Sequence, residues 1–365
     1  MRRGFVSLIF IVLMTHVSPV ATLAVEPIVG PKPQTVDDVF IPAPIDIVAE
    51  NWITGLEAPW SLVFLPDGRA LVSERPGRVR LIRDGQLAPE PYAVFETTRR
   101  ASGVGDFFLN LFARGEGGLM GLAVHPNFPK APYIYAMYTW RGQNGVRNRI
   151  VRLRDHGNHG TFDKIILGGV PGALFHNGGR IAFGPDGMLY ATTGEIFERR
   201  MAQDLNALGG KILRIDPEGN IPTDNPFPSS PVWSYGHRNP QGLAWHPETG
   251  QLFQSEHGPS GEVGFSAHDE INIIERGRNY GWPLIVGAPG KAPYADPIVM
   301  WPENSVPPAG IAFHQGDLYI ATLRSEALIR LKLSQSGRRF SVTAIERLFA
   351  ENEYVGVLGR LRDAV

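Results

Sequence analysis

Cysteine is absent from the 365 residues. That excludes a disulfide framework, a lipid-attachment cysteine and any thiol chemistry. Charge is also scarce. Only 19% of residues are Asp, Glu, Lys or Arg, the formal net charge is -1, and no basic stripe or acidic tail stands out. Such a chain is unsuited to nucleic acid or to an anionic membrane surface. There is no P-loop, no GxSxG elbow and no HExxH pair. Gly115, Gly117, Gly118 and Gly121 cluster, but Met120 stands where a GxGxxG fingerprint needs glycine, and no βαβ pattern surrounds it. A nicotinamide-binding Rossmann site is therefore a poor reading. His156 and His159 have a possible metal spacing, yet they sit in a Gly-rich stretch with no third ligand nearby.

The longest apolar run, Phe5 to Met14, is too short to span a bilayer. Arg2 and Arg3 precede it, and small, mixed residues follow as far as Ala24. This is the order of a secretory leader, with cleavage expected after Ala24 (Thr22 two residues earlier), or alternatively after Ala21. The expected organisation is a signal peptide over 1–24, a Pro-rich segment over 25–43 and one domain over 44–365. A periplasmic or secreted protein with no stable membrane anchor follows.

Glycine and proline are abundant, 42 and 31 residues. That density breaks helices and favours short strands joined by turns. One pattern recurs, an apolar strand, a Pro-Asp-Gly type turn and a second apolar strand. It reads SLVFLPDGRALVSE from Ser61, RIAFGPDGMLYATTGE from Arg180, GLAWHPETGQLFQSEHG from Gly242 and GIAFHQGDLYIATLR from Gly310, with a looser copy from Gly121. The turns at Pro66, Pro126, Pro185, Pro247 and Gln315 lie about sixty residues apart. Meandering sheets of this kind cannot bury both faces alone, and radial packing solves that. The pattern predicts an all-β protein, a six-bladed β-propeller rather than a two-sheet sandwich. Five repeats are visible, and the sixth turn would fall just beyond Val365. The last blade therefore reads as truncated at the C-terminus, with Ile45–Ile53 placed to complete it and an open sheet edge remaining.

Polar residues gather at the repeat junctions. His176 precedes one strand; His237, Arg238 and Asn239 lie between two others. EHGP (Glu256–Pro259), DEINII (Asp269–Ile274) and NYGWP (Asn279–Pro283) follow, then Arg324, Arg360 and Arg362. Arginines converging from separate blades would make an anion site, because guanidinium forks hold carboxylates bidentately.

Taken in order, GLEAPWSLVFLPDG, GEGGLMGLAVHPNF, HNGGRIAFGPDG, AQDLNALGGKILRI, SYGHRNPQGLAW, SEHGP, DEINII, NYGWP and GRLRD resemble the pyrroloquinoline-quinone (PQQ) dependent soluble aldose sugar dehydrogenases from about Val48 to Ala364. The resemblance implies a PQQ- and Ca²⁺-dependent oxidation of an aldose at C1 to a lactone, with hydride passing to the quinone. It implies His176 as general base and Glu116, Arg238, Asn239, Arg324, Arg360 and Arg362 at the cofactor. It also implies Gly258 and Pro259 carbonyls on a catalytic Ca²⁺, and Glu270 and Tyr280 on a structural one. A sugar substrate and an unidentified electron acceptor would be the partners. Three departures stand out. Ser260–His268 intervenes where relatives join Gly-Pro to Asp-Glu within a few residues, Gly310–Asp317 is short, and strands after Asp363 are missing. A metal-dependent propeller lactonase and a catalytically lost propeller acting as a binding module are the competing readings.

Overall fold

The computed structural model describes residues 27–30, 34–98, 115–143 and 145–365. The leader read over 1–24 lies outside them. The regular structure among the described residues is almost entirely antiparallel sheet, apart from two short 3-10 turns, Arg199–Gln203 and Glu262–Gly264. Among them no helix is long and apolar enough to cross a membrane.

Each repeat becomes one sheet, entered by its innermost strand. Blade I comprises Pro59–Phe64, Ala70–Glu74, Arg78–Arg83 and Gln86–Leu87, with Ala93–Val94 also on the third strand. Blade II is Leu119–Val124, Tyr133–Gly142, Gly145–Asp155 and Gly160–Pro171; blade III is Ile181–Phe183, Leu189–Thr193, Lys211–Ile215 and Val232–Tyr235. Blade IV is Asn239–Trp245, Leu252–His257, Asp269–Ile274 and Val299–Trp301. Blade V is Pro308–His314, Asp317–Thr322, Leu328–Ser336 and Arg339–Leu348. The second strands of blades I and III are buried at every residue. They are covered on both faces by neighbouring sheets, so Ser73, Glu74, Thr192 and Thr193 are buried along with the apolar residues.

The core is divided among the blade junctions. Leu71, Leu81, Leu122 and Val151 fill the space between I and II; Met120, Tyr135, Ile181 and Leu213 fill that between II and III. Tyr190, Ile212, Leu243 and Leu252 join III to IV, and Phe253, Ile271, Ile311 and Ile329 join IV to V. No described cluster joins V to I.

The expectation of six blades is thereby corrected: five blades surround the axis. The repeats counted in the sequence are all there, but the sixth was an extrapolation past the last turn. At its position runs a single extended segment, Gly359–Val365, with no strand paired to it. Leu361 N–H donates to Thr322 O (2.9 Å) and Gly310 N–H to Arg362 O (3.1 Å) on blade V. Leu62 N–H of blade I donates to Asp363 Oδ2 (3.0 Å). The predicted strand Ile45–Ile53 does not form either. Ile45 is fully exposed, and only Ile53, with Leu56, packs on the Val72–Ile82 face of blade I. An earlier segment supplies added strands instead. Asp38–Ile41 pairs in parallel with Arg339–Leu348, pinned by Asp38 to Arg347 (2.6–2.9 Å), and Ile28–Val29 extends blade IV. Those pairings satisfy two outer edges that would otherwise be open.

Asp363 is the joint of the tail. Its Oδ2 accepts from Arg180 Nη1 (2.9 Å), and its Oδ1 pairs with Arg180 Nη2 (2.8 Å). Arg180 is 7% exposed, so removing the carboxylate strands a buried cation. Asp363→Ala is therefore expected to lower the unfolding free energy in urea by about 3 kcal/mol. A loss below about 1 kcal/mol would show that the tail does not hold blades I and V together.

Candidate active site

In an antiparallel blade the start of the first strand lies beside the end of the second. That geometry collects the polar residues of the repeat junctions at one end of the axis. Asn239, first residue of its strand, is registered opposite His257, the last of the next. His176 leads into Ile181–Phe183, and Glu195 follows Leu189–Thr193.

His176 is buried, with φ +55°, and its ring packs on Phe197 (4.1 Å between centroids). Ile196 and Phe197 share that left-handed conformation, at +50° and +65°. Three such non-glycine residues in one place are costly and mark a functional constraint. Gly194 permits the close approach, since a Cβ there would overlap the His176 carbonyl oxygen. His176 Nδ1 is hydrogen-bonded to Glu195 Oε1, and Glu195 is fully buried. With Nδ1–H donating to that carboxylate, Nε2 is the nitrogen left to accept a proton.

Glu116 Oε2 accepts from His176 N–H (3.0 Å) and from Asn239 Nδ2 (3.1 Å). Burial opposes its charge, but the His176 N–H and the Arg362 charge favour it, and the carboxyl lies below its usual range. His257 is pushed down to about 3, first by burial, so the ring is neutral. Its Nε2 is buried with no hydrogen-bond partner. Arg362 has its guanidinium lowered to about 10 by burial, and no described carboxylate pairs with it. Among the described residues its guanidinium donates to Gln241 Oε1 (3.4 Å). Arg360, exposed, joins Arg362, Glu116 and Trp60 in lining a cavity of about 870 Å³ between blade I and the tail. A cation with no direct ion pair among the described residues and an unsatisfied imidazole nitrogen in one cluster fit a polar, anionic ligand. The residues present therefore suit a quinone bearing carboxylates.

The residues read as metal ligands come together in a way the sequence did not announce. Gly258, Pro259, Glu270 and Tyr280 all line one small cavity of about 20 Å³, with Glu256 and Arg238. Burial, then the Glu256 charge, raises Glu270 well above the ordinary carboxylate range. A proton or a cation is needed there. Tyr280 contributes no free hydroxyl, since it donates to Ile273 O (2.6 Å) and accepts from Glu275 N–H (2.9 Å). Among the described residues no three His, Asp or Glu side chains converge on a metal position. A cation at this cavity would depend on backbone carbonyls beside Glu270. Gly258 allows that backbone to fold tightly, since a Cβ there would overlap the Ala267 and His268 oxygens.

Arg238 is buried and its Nε–Nη2 edge is already taken. Nε donates to Glu262 Oε1 (2.5 Å), Nη2 pairs with the same carboxylate, and Nη1 reaches His257 O (3.2 Å). Arg324 stands apart, exposed and over the Tyr354 ring (5.8 Å). Glu195 and His257 received no role from the sequence, although a signal existed. His176 and Glu195 lie 19 residues apart, as do the hydrogen-bonded His237 and Glu256 of the next repeat. That shared spacing is the strand-turn-strand length.

The family profile described as Glucose / Sorbosone dehydrogenase matches residues 56–364. Aldose sugar dehydrogenase YliI of Escherichia coli is 33% identical over 333 residues, covering 81% of this chain and 84% of that protein. The PQQ-bound aldose sugar dehydrogenase of Streptomyces coelicolor superposes with TM-score 0.72 at 37% identity, covering 87% of each chain. An oxidoreductase from Thermus thermophilus, assigned as a glucose dehydrogenase, superposes with TM-score 0.76 at 49% identity, covering 86% of this chain and 89% of the other.

The unpaired Arg362 yields a direct test. Groups held for a ligand destabilise the free protein, so Arg362→Met should raise the unfolding free energy by about 1 kcal/mol at neutral pH without ligand. A clear loss of stability in urea melts would mean that its charge is already satisfied.

Proposed function

Because the chain belongs to the glucose/sorbosone dehydrogenase family, we propose that this sugar oxidoreductase depends on PQQ and Ca²⁺ and oxidises aldoses at C1 to lactones. The observation that carries the reading is His176, held by Glu195 at the same end of the axis as the cluster of Arg362, His257, Glu116 and Asn239. When bound, PQQ supplies the two-electron acceptor, and Ca²⁺ polarises it as a Lewis acid. Arg238, Arg360 and Arg362 are the counter-charges for its carboxylates, and Asn239 with Glu116 the polar neighbours. Gly258 and Pro259 offer carbonyl oxygens to the cation, the hard ligands that Ca²⁺ prefers, with Glu270 and the Tyr280 region beside them.

The protein's own part in the chemistry is proton management. Glu195 fixes the His176 ring and stabilises its protonated form, so Nε2 can take the proton of a sugar hydroxyl. Phe197 keeps water off one face of that ring. Exported through its leader, the enzyme would work in the periplasm or outside the cell, passing electrons to an acceptor of unidentified kind.

Adding PQQ with Ca²⁺ to metal-free protein should raise the melting temperature, the stabilisation being roughly 3 kcal/mol at a hundredfold excess over the dissociation constant. Glucose should then drive dye reduction. An unchanged melting temperature, with no quinone absorbance retained after dialysis, would refute the cofactor. His176→Ala should abolish turnover while PQQ still binds, a general base being worth on the order of 10²–10⁴-fold. Glu195→Gln should lower kcat by about 10²-fold or more, with quinone retention unchanged. Near-normal kcat in either variant would remove that residue from the proton path.

A further inference from the structure

We propose that Glu262 is an internal competitor of the cofactor, a latch that occupies the Arg238 fork until a ligand carboxylate displaces it; this rests on the PQQ reading above. Glu262 belongs to Ser260–His268, the segment that departs from the family pattern. Its Oε1 takes both Arg238 Nε and Nη2, the edge with which a guanidinium can grip a ligand carboxylate bidentately. Ser260 Oγ also accepts from Nη2 (3.3 Å). An incoming carboxylate therefore finds the fork taken, and the two anions cannot share it.

The segment is built to let go. Gly261, Val263, Gly264, Ala267 and His268 all have φ between +56° and +109°, and Val263 is β-branched, the side-chain type least tolerant of that region. Val263 and Phe265 are exposed, at 36% and 50%. Local contacts hold the turn, among them Gly261 N–H to Phe265 O (2.8 Å), Gly264 N–H to Gly261 O (3.3 Å), Ser260 N–H to Glu262 Oε2 (2.7 Å) and the Ser260–Ser266 bridge. Displacing it uncovers little apolar surface. The Arg238 pairing is the chief tie between the loop tip and the blade. Meanwhile Glu262 spares the free protein a second cation without a direct ion pair. The latch thus stabilises the empty form and weakens the loaded one.

Glu262→Gln separates these effects. The ligand-free variant should melt lower than the wild type, yet bind PQQ in the presence of Ca²⁺ about ten- to a hundredfold more tightly by equilibrium dialysis. Hydrogen exchange on the wild type gives an independent reading, with the Gly261 amide losing protection when PQQ binds. Arginine-selective dicarbonyl labelling should reach Arg238 faster in the ligand-free variant than in the wild type. Equal or weaker PQQ binding by the variant, or unchanged Gly261 exchange, would overturn the latch and leave the PQQ reading standing. If neither protein retains PQQ, both readings fall. Retention by the variant alone would be the strongest support.

Discussion

Everything at the axis hangs on the guanidinium of Arg180. From the start of the blade III inner strand it donates to Gln241 O of blade IV (3.1 Å) and to Ser61 Oγ of blade I (3.3 Å), pairs with Asp363 of the tail, and lies over the Trp60 ring (4.5 Å). One planar group thus reaches three sheets and the closing segment. A planar fork with five donors can do this; a lysine cannot. The consequence for the site is rigidity. Arg362 stands one residue from Asp363, and His176 four residues before Arg180, so a single anchor sets the positions of the Arg362 cation and the base.

The site itself inverts the rules of a stable interior. It holds a neutral imidazole with an idle nitrogen, a cation with no carboxylate, and a carboxyl raised beside a second one. Each is costly alone. Packed cores at four blade junctions supply the stability against which such groups can be held.

Much of this was legible in the residues. The Pro-Asp-Gly turns and the apolar pairs around them located the inner strands of blades I and III to within a residue or two, because local turn chemistry and strand patterning agree there. The clustering of His176, Asn239 and Glu116 followed from motif order. What failed depended on long-range choices. Nothing in Ile45–Ile53 distinguishes a strand from a segment laid across Val72 and Ile82, since the same apolar residues serve both. Nothing local revealed that Asp38–Ile41 would pair in parallel with a strand some three hundred residues away, or that Glu262 would find Arg238. Those are contacts between distant parts of the chain, and periodicity carries no record of them. The count of six blades erred in the same way, by extending a local rhythm where closure is a property of the whole ring.

The placement of Ile28–Val29 and Asp38–Ile41 has a kinetic consequence. The earliest described residues to leave a ribosome are among the last to find partners, because blades IV and V must exist before their outer edges can be paired. Contacts of such sequence separation make assembly slow, since loop closure must precede the reward. Until the final blade is made, the chain remains an unclosed row of sheets without its N-terminal straps. Completion therefore waits for blades IV and V, whose outer strands the N-terminal segments pair with.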